Sequence, residues 1–188
     1  MTEFFVNFKT LFVILHLFGV ALGAGGAFMS DGMFFIAIKD RFLSLKELEF
    51  MRLGSTITWV GLALLYVSGA ALFMSNPAVY AESSKFITKM FIVLMLTING
   101  VYFHLSHIPF LNSRADKKFS DLPDLKKKRA YLLASGVVSV VSWSLAIILG
   151  ALRSIPFTVA QGISLYLVLV VVGIGVAIIF RDHFLPLE

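Results

Sequence analysis

His16, Asp31, Lys89, His104 and His107 are acidic, basic or imidazole side chains that fall within the apolar stretches of this 188-residue chain. A charged group is costly in hydrocarbon, so each is a candidate for chemistry. Helical residues turn by about 100° apiece, and spacing therefore tells which of them share a face. In 16–32, HLFGVALGAGGAFMSDG, the positions His16, Gly19, Gly23, Gly26 and Ser30 line up along one side, a trough of small residues with a histidine at its head and Asp31 flanking it. In the third apolar stretch Lys89, Val93, Thr97, Gly100, His104 and His107 form one face. The two faces are expected to oppose each other, since both are costly against lipid.

Depth divides these groups into two sites. At 1.5 Å per helical residue, His16 stands roughly 12 Å outward of the midplane and His104 roughly 6 Å inward, so one haem bridging that pair is disfavoured. Lys89 matches the depth of His16, with Met90 and Met95 nearby, which makes an outer site. Asp31 matches His104 and His107, which makes an inner one. Two histidines three apart with a carboxylate opposite are a three-ligand set for zinc or another divalent ion; the same atoms also suit a proton relay or hydrogen bonding between helices. The glycine trough has two readings as well. Small residues at four-residue intervals let membrane helices pack closely, and a glycine one turn from a histidine also lets a flat porphyrin lie against the helix that ligates its iron. Trp59 and Trp143 read as filler, Asn99 as an interhelical hydrogen bonder, and His183 beside Asp182 as a solvated end.

The elements that position these residues follow from composition. Hydrophobic residues make up 59% of the chain and charged ones 14%, against about a quarter charged in soluble domains, and mean hydropathy is +0.91. Five stretches, roughly 8–38, 54–75, 86–111, 130–152 and 158–180, reach the ~20 residues a membrane span needs. The expected fold is an all-α bundle of five transmembrane helices in a single transmembrane domain over 1–188. The start MTEFFVNFK followed by ALGAGGA resembles a signal peptide with its cleavage site, but the segment is read as a retained span. SLKELE at 44–49 reads as a short amphipathic helix at the membrane surface.

Lysine and arginine fix the expected orientation. The segments 39–53, 112–129 and the C-terminus hold twelve of the sixteen basic residues. The positive-inside rule then places the N-terminus outside and the C-terminus in the cytoplasm. The same placement accounts for the net charge of +5 without nucleic acid as a partner; membrane lipids, whose anionic headgroups the KKKR run at 126–129 suits, are the expected ones. The fourth span carries its own small-residue stripe, Ser135, Ser139, Ser142, Ala146 and Gly150. Absence of cysteine excludes disulfides and thiolate-held clusters, so redox chemistry requires another carrier.

Two segments carry a family resemblance. LHLFGVALGAGG (15–26) resembles the first span, and KMFIVLMLTING (89–100) the third, of the copper-resistance D-like membrane proteins and the related membrane protoporphyrinogen IX oxidases. The resemblance implies a bound haem b, with His16 and Lys89 as the essential residues; on the porphyrin reading of the glycine trough, Gly19 and Gly23 would lie beside the cofactor. AFMSDGMFF (27–35) replaces the oxidases' Pro-Arg element, and the outer loops hold no histidine, so neither their substrate handling nor copper export is the leading expectation. The resulting reading is a small integral membrane protein of a bacterial or archaeal inner membrane, binding haem b or a metal ion in a redox role. Its alternatives are an accessory or assembly subunit of a larger membrane complex or homo-oligomer, and a proton or metal ion transporter using Asp31, His104 and His107.

Overall fold

The computed structural model describes residues 2–40, 42–118 and 123–180; Asp182 and His183 lie outside the described residues. The elements are α1 (Thr2–Asn7), α2 (Lys9–Asp40), strand β1 (Phe42–Leu43), α3 (Leu45–Ser75), α4 (Pro77–Ala81), α5 (Ser84–Tyr102), a π-helical turn (Phe103–His107), α6 (Ile108–Asn112), strand β2 (Lys117–Lys118), α7 (Pro123–Ala151) and α8 (Val159–Ile179). Five segments are long and apolar enough to cross a membrane: Lys9–Ala37, Leu45–Ser75, Ser84–Asn112, Lys127–Ala151 and Val159–Ile179. The chain is thus an integral membrane helix bundle, as its hydropathy predicts.

Local chemistry sets the helix ends. The side chain of Ser44 accepts from the Glu47 backbone N–H at 3.2 Å, while the Ser44 N–H donates to the Glu47 carboxylate at 2.8 Å, a capping box that satisfies two otherwise orphaned donors. Nothing after it interrupts the helix, so 44–49 is the first part of the second span and not a separate surface helix; Leu48 and Met51 are fully buried there. Asn76 precedes Pro77, which disfavours helical geometry at the asparagine and ends α3. Thr158 and Gln161 form a second capping box at the start of α8.

The bundle has two parts. Helices α2 and α3 form a tight hairpin along their whole length, whereas α5, α7 and α8 pack on one another. The hairpin is tight because glycine faces glycine: a Cβ on Gly26 would fall 2.6 Å from the Gly54 carbonyl oxygen, and one on Gly54 2.7 Å from that of Gly26. Such backbone approach is what small residues permit between membrane helices. The Thr58 hydroxyl lies across the crossing, 2.9 Å from the Gly54 carbonyl and 3.3 Å from that of Gly23. Lys85 joins the start of α5 to the end of α7, its ammonium donating to the Leu152 carbonyl at 2.7 Å. Strands β1 and β2 pair antiparallel, Phe42 with Lys118 and Leu43 with Lys117, so the two basic loops share one end of the bundle.

Candidate ligand cavity and polar interior

Where the hairpin meets the three-helix unit, the packing leaves space. A cavity of about 400 Å³ has α3 and α5 as walls, through Tyr66, Gly69 and Phe73 on one side and Phe86, Met90 and Val93 on the other. Its floor comes from His16 and Val20 of α2 and from Trp143 and Ala146 of α7. Tyr66 and Met90 are exposed, so the cavity opens sideways between α3 and α5, toward the acyl chains.

His16 and Lys89 meet in this cavity, the pairing that matched depth predicts: Lys89 Nζ lies 3.4 Å from His16 Nε2. On the other side of the imidazole, Nδ1 lies 3.0 Å from Ser68 Oγ, and the Ser68 hydroxyl itself donates to the Leu64 carbonyl. With its one hydrogen committed, Ser68 accepts from Nδ1–H. The neutral imidazole then carries its lone pair on Nε2, the tautomer that accepts a proton donor or ligates a metal while a second group fixes the ring. Ser68 was not singled out by the sequence reading. Its signal is a seven-residue repeat of small residues, Gly54, Gly61, Ser68 and Ser75, all buried along one face of α3.

The glycine trough of α2 lies elsewhere than expected for a cofactor. Gly19 and Gly23 are buried but do not line the cavity. A Cβ on Gly19 would stand 3.0 Å from the Leu65 backbone nitrogen, and one on Gly23 would overlap the Trp143 ring. The trough is therefore filled by α3 and by Trp143, the packing reading of its spacing. The glycine that does face His16 across the cavity is Gly69, whose Cβ would be 3.7 Å from His16 Cε1.

The polar face of α5 also turns differently from the expected opposition to α2. It meets α3: Thr97 bonds the Tyr66 hydroxyl at 2.7 Å, and His104 Nδ1 lies 3.4 Å from Ser55 Oγ. Of this face, Lys89 reaches His16 of α2. His104 is exposed, whereas His107 is 1% exposed and packs edge-on against the Tyr102 and Phe103 rings. The cause is the π-helical turn at Phe103–His107: it advances by a smaller angle per residue than an α turn, which swings His107 away from His104. Among the described residues no three His, Cys, Asp or Glu side chains converge on one point, so Asp31, His104 and His107 are not a three-ligand metal set.

Asp31 instead borders two other cavities nearer the basic-loop end: a small one of about 50 Å³, here called the inner cavity, and one of about 280 Å³ whose lining is otherwise apolar, between α2, α7 and α8. Leu62, Leu96 and Trp143 line both the outer and the inner cavity and form the partition between them. The inner one has a mixed lining, in which hydroxyl and amide groups of Ser30, Ser55, Thr58, Asn99, Ser135 and Ser139 interrupt an apolar wall. Asn99, as expected, bonds between helices, donating to the Ser135 carbonyl at 3.1 Å and accepting from the Ser135 hydroxyl at 2.9 Å. The α7 stripe expected only to pack thus supplies much of this polar wall.

Comparison with family models, with curated proteins and with solved structures finds no match for this chain. Function is therefore read from the geometry.

Proposed function

We propose that this membrane protein binds haem b in the outer cavity, with His16 Nε2 as an axial ligand, and serves a redox role in a prokaryotic inner membrane with its N-terminus outside. The observation that carries the reading is the preorganised imidazole: Nδ1 is held by Ser68, and Nε2, in the lining of a large apolar cavity, lies beside the Lys89 amine. A cavity of about 400 Å³ falls in the range of small-molecule sites. Its lateral opening suits a ligand that partitions into lipid. Phe73, Phe86 and Trp143 would offer aromatic surface to a macrocycle, and the Met90 thioether would be available as a second donor to its iron.

When bound, haem supplies a one-electron carrier in a chain that has no cysteine for one. The residues around it divide the remaining work. Ser68 keeps the ring in the ligating tautomer. Lys89 would then be free to pair its ammonium with a propionate, a charge-assisted contact in place of one with a neutral ring. The resemblance of the first and third spans to haem-binding membrane oxidases singles out the same two residues, His16 and Lys89.

The test is titration of the detergent-purified chain with haem. A stoichiometric Soret band that shifts on reduction and disappears in His16→Ala is expected. Binding by His16→Ala as tight as by the wild type, or none by the wild type, overturns the reading.

A further inference from the structure

The inner cavity holds a carboxylate without a counter-charge. Asp31 Oδ2 is shielded from solvent and has no hydrogen-bond partner, although the Ser139 hydroxyl is within reach of the same carboxyl group. An ionised carboxylate in that position is stable only if something compensates it. Among the described residues no lysine, arginine or histidine lines either cavity that Asp31 borders, so the compensation there has to come from a bound cation or from a proton.

The hydroxyls that line the inner cavity favour a cation over a bare proton. Ser30 donates its hydrogen to the Met51 carbonyl at 3.3 Å, Thr58 to the Gly54 carbonyl at 2.9 Å, and Ser135 to the Asn99 amide oxygen at 2.9 Å. Three hydroxyls that line the cavity have therefore spent their hydrogens on protein acceptors and present only oxygen lone pairs. A protonated Asp31 needs one acceptor. A surplus of neutral oxygens around one carboxylate is what a hard cation requires, since such ions take oxygen donors in number. Charge selects among hard cations: one carboxylate neutralises one positive charge, whereas a divalent ion would leave a net charge buried in the bilayer. At about 50 Å³ the space exceeds the 10–15 Å³ that one water needs, which admits a small ion together with a water.

We infer that the cavity bordered by Asp31, Ser30, Thr58, Ser135 and Ser139 is a binding site for a small monovalent cation of the sodium class. This is independent of the haem reading, which concerns the other side of the Trp143 partition. The site also carries its own reporter: Trp59 and Trp143 both line it, and they are the only two tryptophans of the chain.

The experiment is a sodium titration of the full chain in detergent, at constant ionic strength held with choline, read by intrinsic tryptophan fluorescence and by thermal midpoint. A saturable fluorescence change with a parallel rise in midpoint is expected, weaker with potassium. Asp31→Asn should abolish both responses, and Ser139→Ala should raise the half-saturating sodium concentration roughly tenfold, as loss of a group that orients a ligand does. If Asp31→Asn fails to fold, the Ser139→Ala shift carries the test alone. The inference is overturned by an equal response to potassium or choline, by a response that persists in Asp31→Asn, or by a fluorescence change that follows pH and ignores sodium, which would mark a protonated Asp31 with trapped water.

Discussion

The ring of Trp143, reaching from α7, lies directly on the backbone of Gly23 in α2, in the volume that any side chain at position 23 would occupy. This contact joins the α2–α3 hairpin to the three-helix unit, and it holds in place the indole that separates the outer cavity from the inner one. Trp143 is 2% exposed and has little room to yield. Gly23→Ala is expected to overpack the site and cost about 1–3 kcal/mol, visible as a lower thermal midpoint in detergent together with a changed Trp143 emission. Gly61→Ala should cost more, because there the new Cβ meets the backbone of Gly23 rather than a side chain. Gly25→Ala meets nothing within 4 Å and should be neutral or slightly stabilising, since alanine is the better helix former.

Ser68 provides a way to separate tautomer control from packing. Ser68→Ala removes one interhelical hydrogen bond, worth about 0.6 kcal/mol on average in membrane bundles, so the thermal midpoint should barely move. Haem affinity should fall about 10–100-fold, the usual effect of losing the group that orients a ligating histidine. Unchanged affinity in a folded Ser68→Ala would show that the Nδ1 bond does not prepare Nε2 for a ligand.

The membrane class was legible because five apolar runs of near-full span length leave no other home for the chain, and the His16 and Lys89 pairing was legible because a helix converts residue number into depth. The identity of neighbours was not. A stripe such as Gly19, Gly23 and Gly26 states that something approaches closely; only the matching repeat Gly54, Gly61 and Ser68 says that it is α3. His104 and His107 were misplaced relative to each other because a π-helical turn leaves no mark in the spacing of an apolar segment. The second span starts nine residues earlier than its hydropathy suggests because the charges of LKELE suit a separate surface helix, whereas the capping box at Ser44 and Glu47 starts a helix that carries straight on. Trp143 looked like filler because its importance lies in the glycine beneath it.

Lys89 should matter to the ligand's carboxylates and not to its ring. In the wild type, haem is expected to bind more tightly than its dimethyl ester by about tenfold or more, the worth of one hydrogen bond to a charged group. In Lys89→Met the two forms should bind alike, with the ester no weaker than in the wild type. The comparison is a pair of absorbance titrations on each protein. A preference for the free acid that survives Lys89→Met would assign the propionates to another cation.

The orientation of the bundle can be read with two substitutions, because the chain has no cysteine to interfere. Glu82 and Lys117 are both exposed and lie at opposite ends of the bundle, the first in the turn between α4 and α5 and the second in β2. Pairing of β1 with β2 puts the loops around 42 and 117 on one side, and those loops carry most of the basic residues. Retention of lysine and arginine on the cytoplasmic face then requires Glu82 to face outward. A membrane-impermeant maleimide applied to intact cells should label Glu82→Cys at once and Lys117→Cys only after permeabilisation. The reverse pattern would place the His16 cavity near the cytoplasmic leaflet and the basic loops outside, and it would require some force other than charge to have oriented the chain.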